Sequence, residues 1–452
     1  MSVAELGASL DLAATAREMG AFIEELYPIC RSITGDGLRR TLRAVQERIP
    51  LELREVPTGT KVFDWTVPEE WNITDAYVRD AAGRRVIDFR RSNLHVVNYS
   101  EPVRQTLSLA ELKTHLFALP DRPDWIPYRT SYYERSWGFC LSQRQLEALP
   151  EGEYEAVIES RLEPGSLTYG ELLLPGETNE EVLISTHCCH PSLANDNLSG
   201  IALSTSLARA LAGAKRRYGY RFLFLPGTIG SIAWLSRNEA ATSRIRAGLV
   251  VACVGDAGPL HYKKSRRGNA EIDRAAVHVL QHSGAKHRVL EFSPYGYDER
   301  QYCSPGFDLP VGSLTRTPHG RFPEYHTSAD DLGFVRPESL SDSLRAYLAI
   351  LAVIEGNERF RNTSPKGEPQ LGRRGLYRAI GGLPDPGQHS LAMLWILNLS
   401  DGSNDLLAIS ERSGMSFSVI EAAAARLSEN GLLSPAESST VAVESTPSGK
   451  TK

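Results

Sequence analysis

Cysteine is scarce in this chain, at six among 452 residues, and two of the six are the adjacent Cys188 and Cys189. That is too sparse for a disulfide scaffold, and a reducing, cytoplasmic setting is expected. Nowhere do about 18 apolar residues run together, so neither a membrane-crossing helix nor a membrane partner is expected. The first twenty residues lack a basic stretch followed by an apolar core, so no secretory leader is expected. An excess of one charge is also missing: 50 Lys and Arg stand against 55 Asp and Glu, for a net charge of -5. Without a basic footprint, a dedicated nucleic-acid binder is disfavoured. What is present is an ordinary core-forming composition, 41% hydrophobic. At about 100–200 residues per domain, the length suggests two to four domains.

The hydrophobic pattern changes character along the chain. Leu12, Met19, Phe22, Ile23 and Leu26 recur near a helical period, and a second helix follows the turn at 33–37. Residues 59–170 read as short alternating β runs with an irregular aromatic stretch from Trp125 to Phe139. From residue 181, buried strands alternate with helices, which predicts a parallel or mixed sheet covered by helices. The expected architecture is a discontinuous α/β core, residues 1–58 and 171–365, split by a β-rich insert at 59–170. A Gly/Pro/Arg-rich linker at 366–385 then leads to a helical unit at 386–436 and a polar tail at 437–452. The helix, helix, turn, helix order of that unit resembles a winged helix. Its third helix carries Glu421, Arg426 and Glu429 and is not basic, so a protein–protein or homo-oligomer contact is expected of it rather than DNA reading.

Ligands of open α/β sheets gather at the carboxyl ends of strands. Those ends carry His187 and His190 after VLIST, Asp196 in the next loop, Asp256 after AGLVVACVG, and His326 after a further strand. Imidazoles and carboxylates on one rim match the donor set of a hydrolytic zinc site, which keeps one position open for water. Taken singly, a histidine at a strand end is more often an ordinary loop or core residue than a ligand.

The segment STHCCHPSLANDNLSGIALSTSLARAL resembles the metal-binding segment of zinc-dependent leucyl-aminopeptidase-type exopeptidases. With TIGSIAWLSRN, CVGD, DERQYCSPGFDLPVGSLTRT, EYHTSADDL and EPQLGRRGLY, the chain more closely resembles a bacterial group with an aminopeptidase-like domain. The resemblance implies a three-layer α/β/α zinc-peptidase-like core with an inserted β lid domain and a C-terminal winged-helix-like domain. It implies His187, Asp196, Asp256 and His326 as metal ligands, with Asp330 or Asp331 receiving the other ring nitrogen of His326. The implied activity is hydrolysis of an amide bond in a small peptide or amino-acid amide.

One departure stands out. Gly227 sits where the family carries its general-base Glu, and Thr228 where a ligand of a second metal is expected. One zinc ion is therefore expected rather than two. Glu299 and Glu324 are candidate substitute bases. Asp298 or Glu299 is expected to pair a substrate amine, Arg300, Gln301 and Tyr302 to form a recognition loop over the site, and Arg316 to hold a substrate carboxylate. Gly227 also leaves two alternatives open: a catalytically silent, repurposed binding or assembly protein, and a single-zinc acyltransferase or cyclase.

Overall fold

The alternation of strands and helices after residue 181 folds, in a computed structural model describing residues 1–376 and 386–436, into an eight-stranded mixed sheet. Its strands in chain order are β1 (Glu52–Pro57), β2 (Ser166–Leu174), β3 (Glu181–His187), β4 (Gly219–Leu225), β5 (Ile245–Val251), β6 (Leu260–Lys263), β7 (His287–Leu290) and β8 (Val311–Thr315). They lie in the order β1-β2-β4-β3-β5-β8-β6-β7. The central four, β4-β3-β5-β8, are parallel, with His187 opposite Leu225 and Ser185 opposite Val250. Every residue of β3 and β4 is buried. That is the signature of strands covered on both faces, and it explains why they read as continuous apolar runs.

Helix Leu12–Leu26 buries Met19, Phe22, Ile23 and Leu26, the stripe expected from its period, and packs on helix Gly200–Ala212. Each large apolar side chain so buried contributes about 2 kcal/mol.

Residues between β1 and β2 form the β insert. Its main sheet is antiparallel, in the order Arg85–Asp88, Glu70–Asp80, Glu153–Glu163, Val103–Ser108. It has its own apolar cluster, including Val78, Leu112, Phe139 and Ala156. Strand β2 runs through residue 170, where the sequence pattern divides insert from core, and all of it pairs within the core sheet.

The chain divides into two compact units, Met1–Glu355 and Gly356–Lys452. Within the second, helices Pro386–Leu399, Leu406–Ser413 and Phe417–Glu429 accompany a three-stranded sheet ordered Asp401–Asp405, Arg359–Asn362, Leu433–Pro435. This is a winged-helix arrangement. Its middle strand, Arg359–Asn362, precedes the expected linker and belongs to this unit. Residues 377–385 of that linker and the tail at 437–452 lie outside the described residues. No helix among the described residues is long and apolar enough to cross a membrane.

Candidate metal centre

The site is assembled at the carboxyl end of β3, which terminates in His187. A loop carries the chain through Cys188, Cys189 and His190 to a single turn, Ala194–Ser199, that leads into helix Gly200–Ala212. Asp196 lies in this turn and is fully buried. The two oxygens of its carboxylate face two imidazoles: His187 Nε2 at 2.9 Å from Oδ1, and His326 Nε2 at 3.0 Å from Oδ2. The ring of His190 stands 4.9 Å from that of His187 and 5.1 Å from that of His326. Donor atoms of His187, His190 and Asp196 all lie within 4.8 Å of one another. Burial opposes charge on Asp196, but the facing imidazoles outweigh it and hold its carboxyl well below the usual range. Burial lowers His190 to about 3, so its imidazole is neutral and its lone pair free for a cation.

The surrounding residues fix these donors. Asp330 accepts the backbone N–H groups of Asn195 and Asp196, and burial raises its carboxyl to about 8. It holds the loop of Asp196 and makes no bond to His326. Asp331 instead caps the N–H groups of Gly333 and Phe334. The Tyr297 ring stacks on His187 at 5.1 Å and the Tyr325 ring on His326 at 3.9 Å. The fully buried Arg31 donates from Nε to the carbonyl of His190 at 3.0 Å. The insert grips His326 from the other side. Tyr128 N–H donates to the His326 carbonyl and Ser328 N–H to that of Ile126, both at 2.8 Å. Residues 118–122 and 127–129 of the insert and 323 and 325–327 of the core line one cavity of about 570 Å³ that reaches His326.

Asp256, expected as a ligand, is occupied elsewhere. Its carboxylate accepts from Thr317 Oγ1 at 2.6 Å, Gly258 N at 2.7 Å, Thr317 N at 3.1 Å and Asn195 Nδ2 at 3.1 Å. It ties together the loops that follow β5 and β8. Arg316, expected at a substrate carboxylate, is buried and bonded to the carbonyls of Gly258 and Ser339 and to Asp342. Tyr302 is a core residue whose hydroxyl meets Ser185 at 2.9 Å. It shares the short helix Glu299–Tyr302 with the half-buried Arg300 and Gln301. Glu324 is half-buried, and its carbonyl accepts from Thr327. The thiols of Cys188 and Cys189 are buried, and burial pushes both up, Cys189 to about 12.

Gly227 does border the centre. A Cβ added there would lie 3.1 Å from His187 Cβ and 3.5 Å from Asp298 Oδ2. Asp298 is fully buried. Its Oδ1 accepts from Ser231 Oγ at 2.7 Å, Oδ2 has no partner among the described residues, and burial raises the carboxyl to about 6. Glu299 instead pairs with Lys263 at 2.8 Å. The sequence pattern set His190 on the rim but gave it no ligand role. The available signal was its spacing from His187, which puts both imidazoles on one short loop.

Residues 20–357 match the profile of a family described as a domain of unknown function, DUF4910, and residues 358–435 match a winged helix-turn-helix profile. A Clostridium acetobutylicum protein named "Putative polysaccharide biosynthesis protein with aminopeptidase-like domain" is 54% identical over 410 residues, covering 91% of this chain and 94% of its own. A crystal structure of a "putative peptidase" from the same organism superposes with a TM-score of 0.90 at 51% identity, covering 94% of this chain and 97% of that one. A zinc aminopeptidase from Bacillus subtilis shares the fold at a TM-score of 0.56 and 13% identity, covering 74% and 94% of the two chains.

Proposed function

Because the chain belongs to the DUF4910 family of aminopeptidase-like proteins, we propose that it is a zinc-dependent hydrolase acting on an amide bond of a small amino-bearing substrate. The observation that carries this reading is the convergence of His187 and His326 on the two oxygens of Asp196, with the neutral ring of His190 alongside. His187, His190 and Asp196, whose donor atoms group within 4.8 Å, are a fitting three-ligand set for one zinc ion with a position left open for water. When bound, zinc would lower the pKa of a coordinated water and polarise a neighbouring carbonyl. The protein's own part is orientation. Tyr297 and Tyr325 hold the rings of His187 and His326, and Asp330 holds Asp196. The cavity between insert and core, about 570 Å³, is of small-molecule size. Among the carboxylates, Asp298 is best suited to accept a proton, since its unpartnered Oδ2 faces the notch left by Gly227.

A second reading is favoured by Gly227 itself. Glycine can accept no proton, and a base is worth about 10²–10⁴-fold in rate. On that reading the protein binds metal and ligand without hydrolysis, or joins two substrates as a single-zinc acyltransferase. The winged-helix unit, with its non-basic third helix, would serve protein association. The deciding experiment measures zinc content and hydrolysis of a panel of aminoacyl amides for this chain and for Gly227→Glu. Hydrolysis by this chain that is lost in Asp298→Asn supports the first reading. Hydrolysis only in Gly227→Glu supports the second. Absence of stoichiometric zinc, unchanged in His326→Ala, rejects both metal readings.

A further inference from the structure

Beside the metal centre lies a second cavity of about 410 Å³, within the usual size range of small-molecule sites. It is bounded by the ends of β6, β7 and β8 and by the loops at 293–299 and 318–321. Tyr297 is the shared wall. Its ring stacks on His187 and meets the ring of His319, which lines the cavity, edge-on at 4.9 Å. The other aromatic wall is Tyr295, 72% exposed, with its ring 5.3 Å from His319.

The polar lining is balanced rather than of one sign. Lys263 and Arg321 stand against Glu291 and Glu299, with the hydroxyls of Ser313 and Thr315 between β-strand ends. Glu299 is 1% exposed. Its Oε1 receives Lys263 Nζ, while Oε2 is buried with no partner among the described residues. Leaving a charged acceptor buried and unpaired is costly unless a ligand donor meets it. The pairing is built in: a Cβ on Gly296 would fall 2.0 Å from Glu299 Oε1 and 2.7 Å from Lys263 Nζ, so the loop is pressed against the pair. A cationic ligand would meet Lys263 and Arg321. An anionic one would meet the unpaired carboxylate oxygen of Glu299. A neutral ring bearing several hydroxyls offers donors and acceptors together, and its C–H faces suit Tyr295 and Tyr297.

We propose that this cavity binds a neutral pyranose ring, so that the molecule presented to the metal centre carries a sugar. The proposal deepens the hydrolase reading and rests on it for the role of the bound sugar as substrate. The test uses saturation-transfer NMR on the full chain, with methyl glucoside and N-acetylglucosamine as probes, and arginine amide and citrate as charged controls. Zinc content is measured on the same samples. Saturation of the pyranose ring protons is expected. Tyr295→Ala, a change at an exposed side chain, is expected to weaken binding about tenfold with melting temperature and zinc content unchanged. Glu299→Gln, which keeps the shape, is expected to weaken it similarly. Loss in either variant supports the site. Absence of pyranose binding, binding of a charged control alone, or pyranose binding that survives both substitutions overturns it. Sugar binding without zinc would reject the hydrolase reading and leave the site standing; zinc without sugar binding would do the reverse.

Discussion

Asp330 receives the backbone N–H of Asp196 at 2.9 Å, so one carboxylate holds the main chain of another whose side chain faces two imidazoles. The same Asp330 receives the N–H of Asn195 at 2.6 Å. Asp330→Ala removes both acceptors from those N–H groups. Zinc affinity is expected to fall about 10–100-fold with the fold retained, as read by chelator competition and circular dichroism. Unchanged affinity would mean that the loop is held by other means.

His190 is the imidazole whose role was least legible. His190→Ala is expected to lose zinc on gel filtration, and so is His187→Ala. Full retention of metal in His190→Ala would assign the ion to His187, Asp196 and His326 alone.

Asp256 provides the contrast. All four of its contacts come from Thr317, Gly258 and Asn195. Asp256→Ala leaves those donors unpaired and is expected to cost about 2–4 kcal/mol in chemical denaturation. Asp256→Asn is expected to lower stability less and to keep its zinc. Loss of zinc from a folded Asp256→Asn protein would restore the residue to the ligand set.

Glu70 anchors the insert to the core. It pairs with Arg39 of helix Asp36–Gln46 and accepts the N–H of Ser166 at 3.0 Å. The Arg39 hydrogen bond is the chief cause that lowers its carboxyl to about 2, from an ordinary 4.5. A depressed carboxylate pKa means that the unfolded state binds the proton more readily. The pair therefore stabilises fully above about pH 4.5, and its contribution is lost as the pH falls from 4.5 toward 2. Glu70→Gln is expected to destabilise by about 2 kcal/mol at pH 7 and to flatten that acid limb of the melting profile. Parallel acid limbs in the two proteins would discount the pair.

The strand ends of the α/β core were legible because buried parallel strands read as apolar runs and the residues after them must fall on one rim. That is how His187, Asp196 and His326 emerge from the sequence alone. Pointing was not legible. Asp256 follows β5 on that rim, but its side chain is claimed by Thr317, 61 residues later. Tyr302 and Arg316 carry polar ends that suggest solvent or substrate, yet Ser185 and the carbonyls of Gly258 and Ser339 satisfy those ends inside the fold. The strand Arg359–Asn362 escaped notice because RFRN has only one apolar residue to betray it.

The clasp between Tyr128 and His326 has a consequence for assembly. The centre draws on residues near 31, 128, 187–196 and 326–330, and each of these segments is placed by contacts far away in sequence. Contacts so distant form late, after the loops between them have closed. His326 is thus expected to take its position only when the insert has folded and docked. Metal uptake by the proposed centre would then report on completion of the whole first unit, and a packing defect at Val78 or Phe139, in the insert's own core, would slow the capture of an ion that neither residue touches.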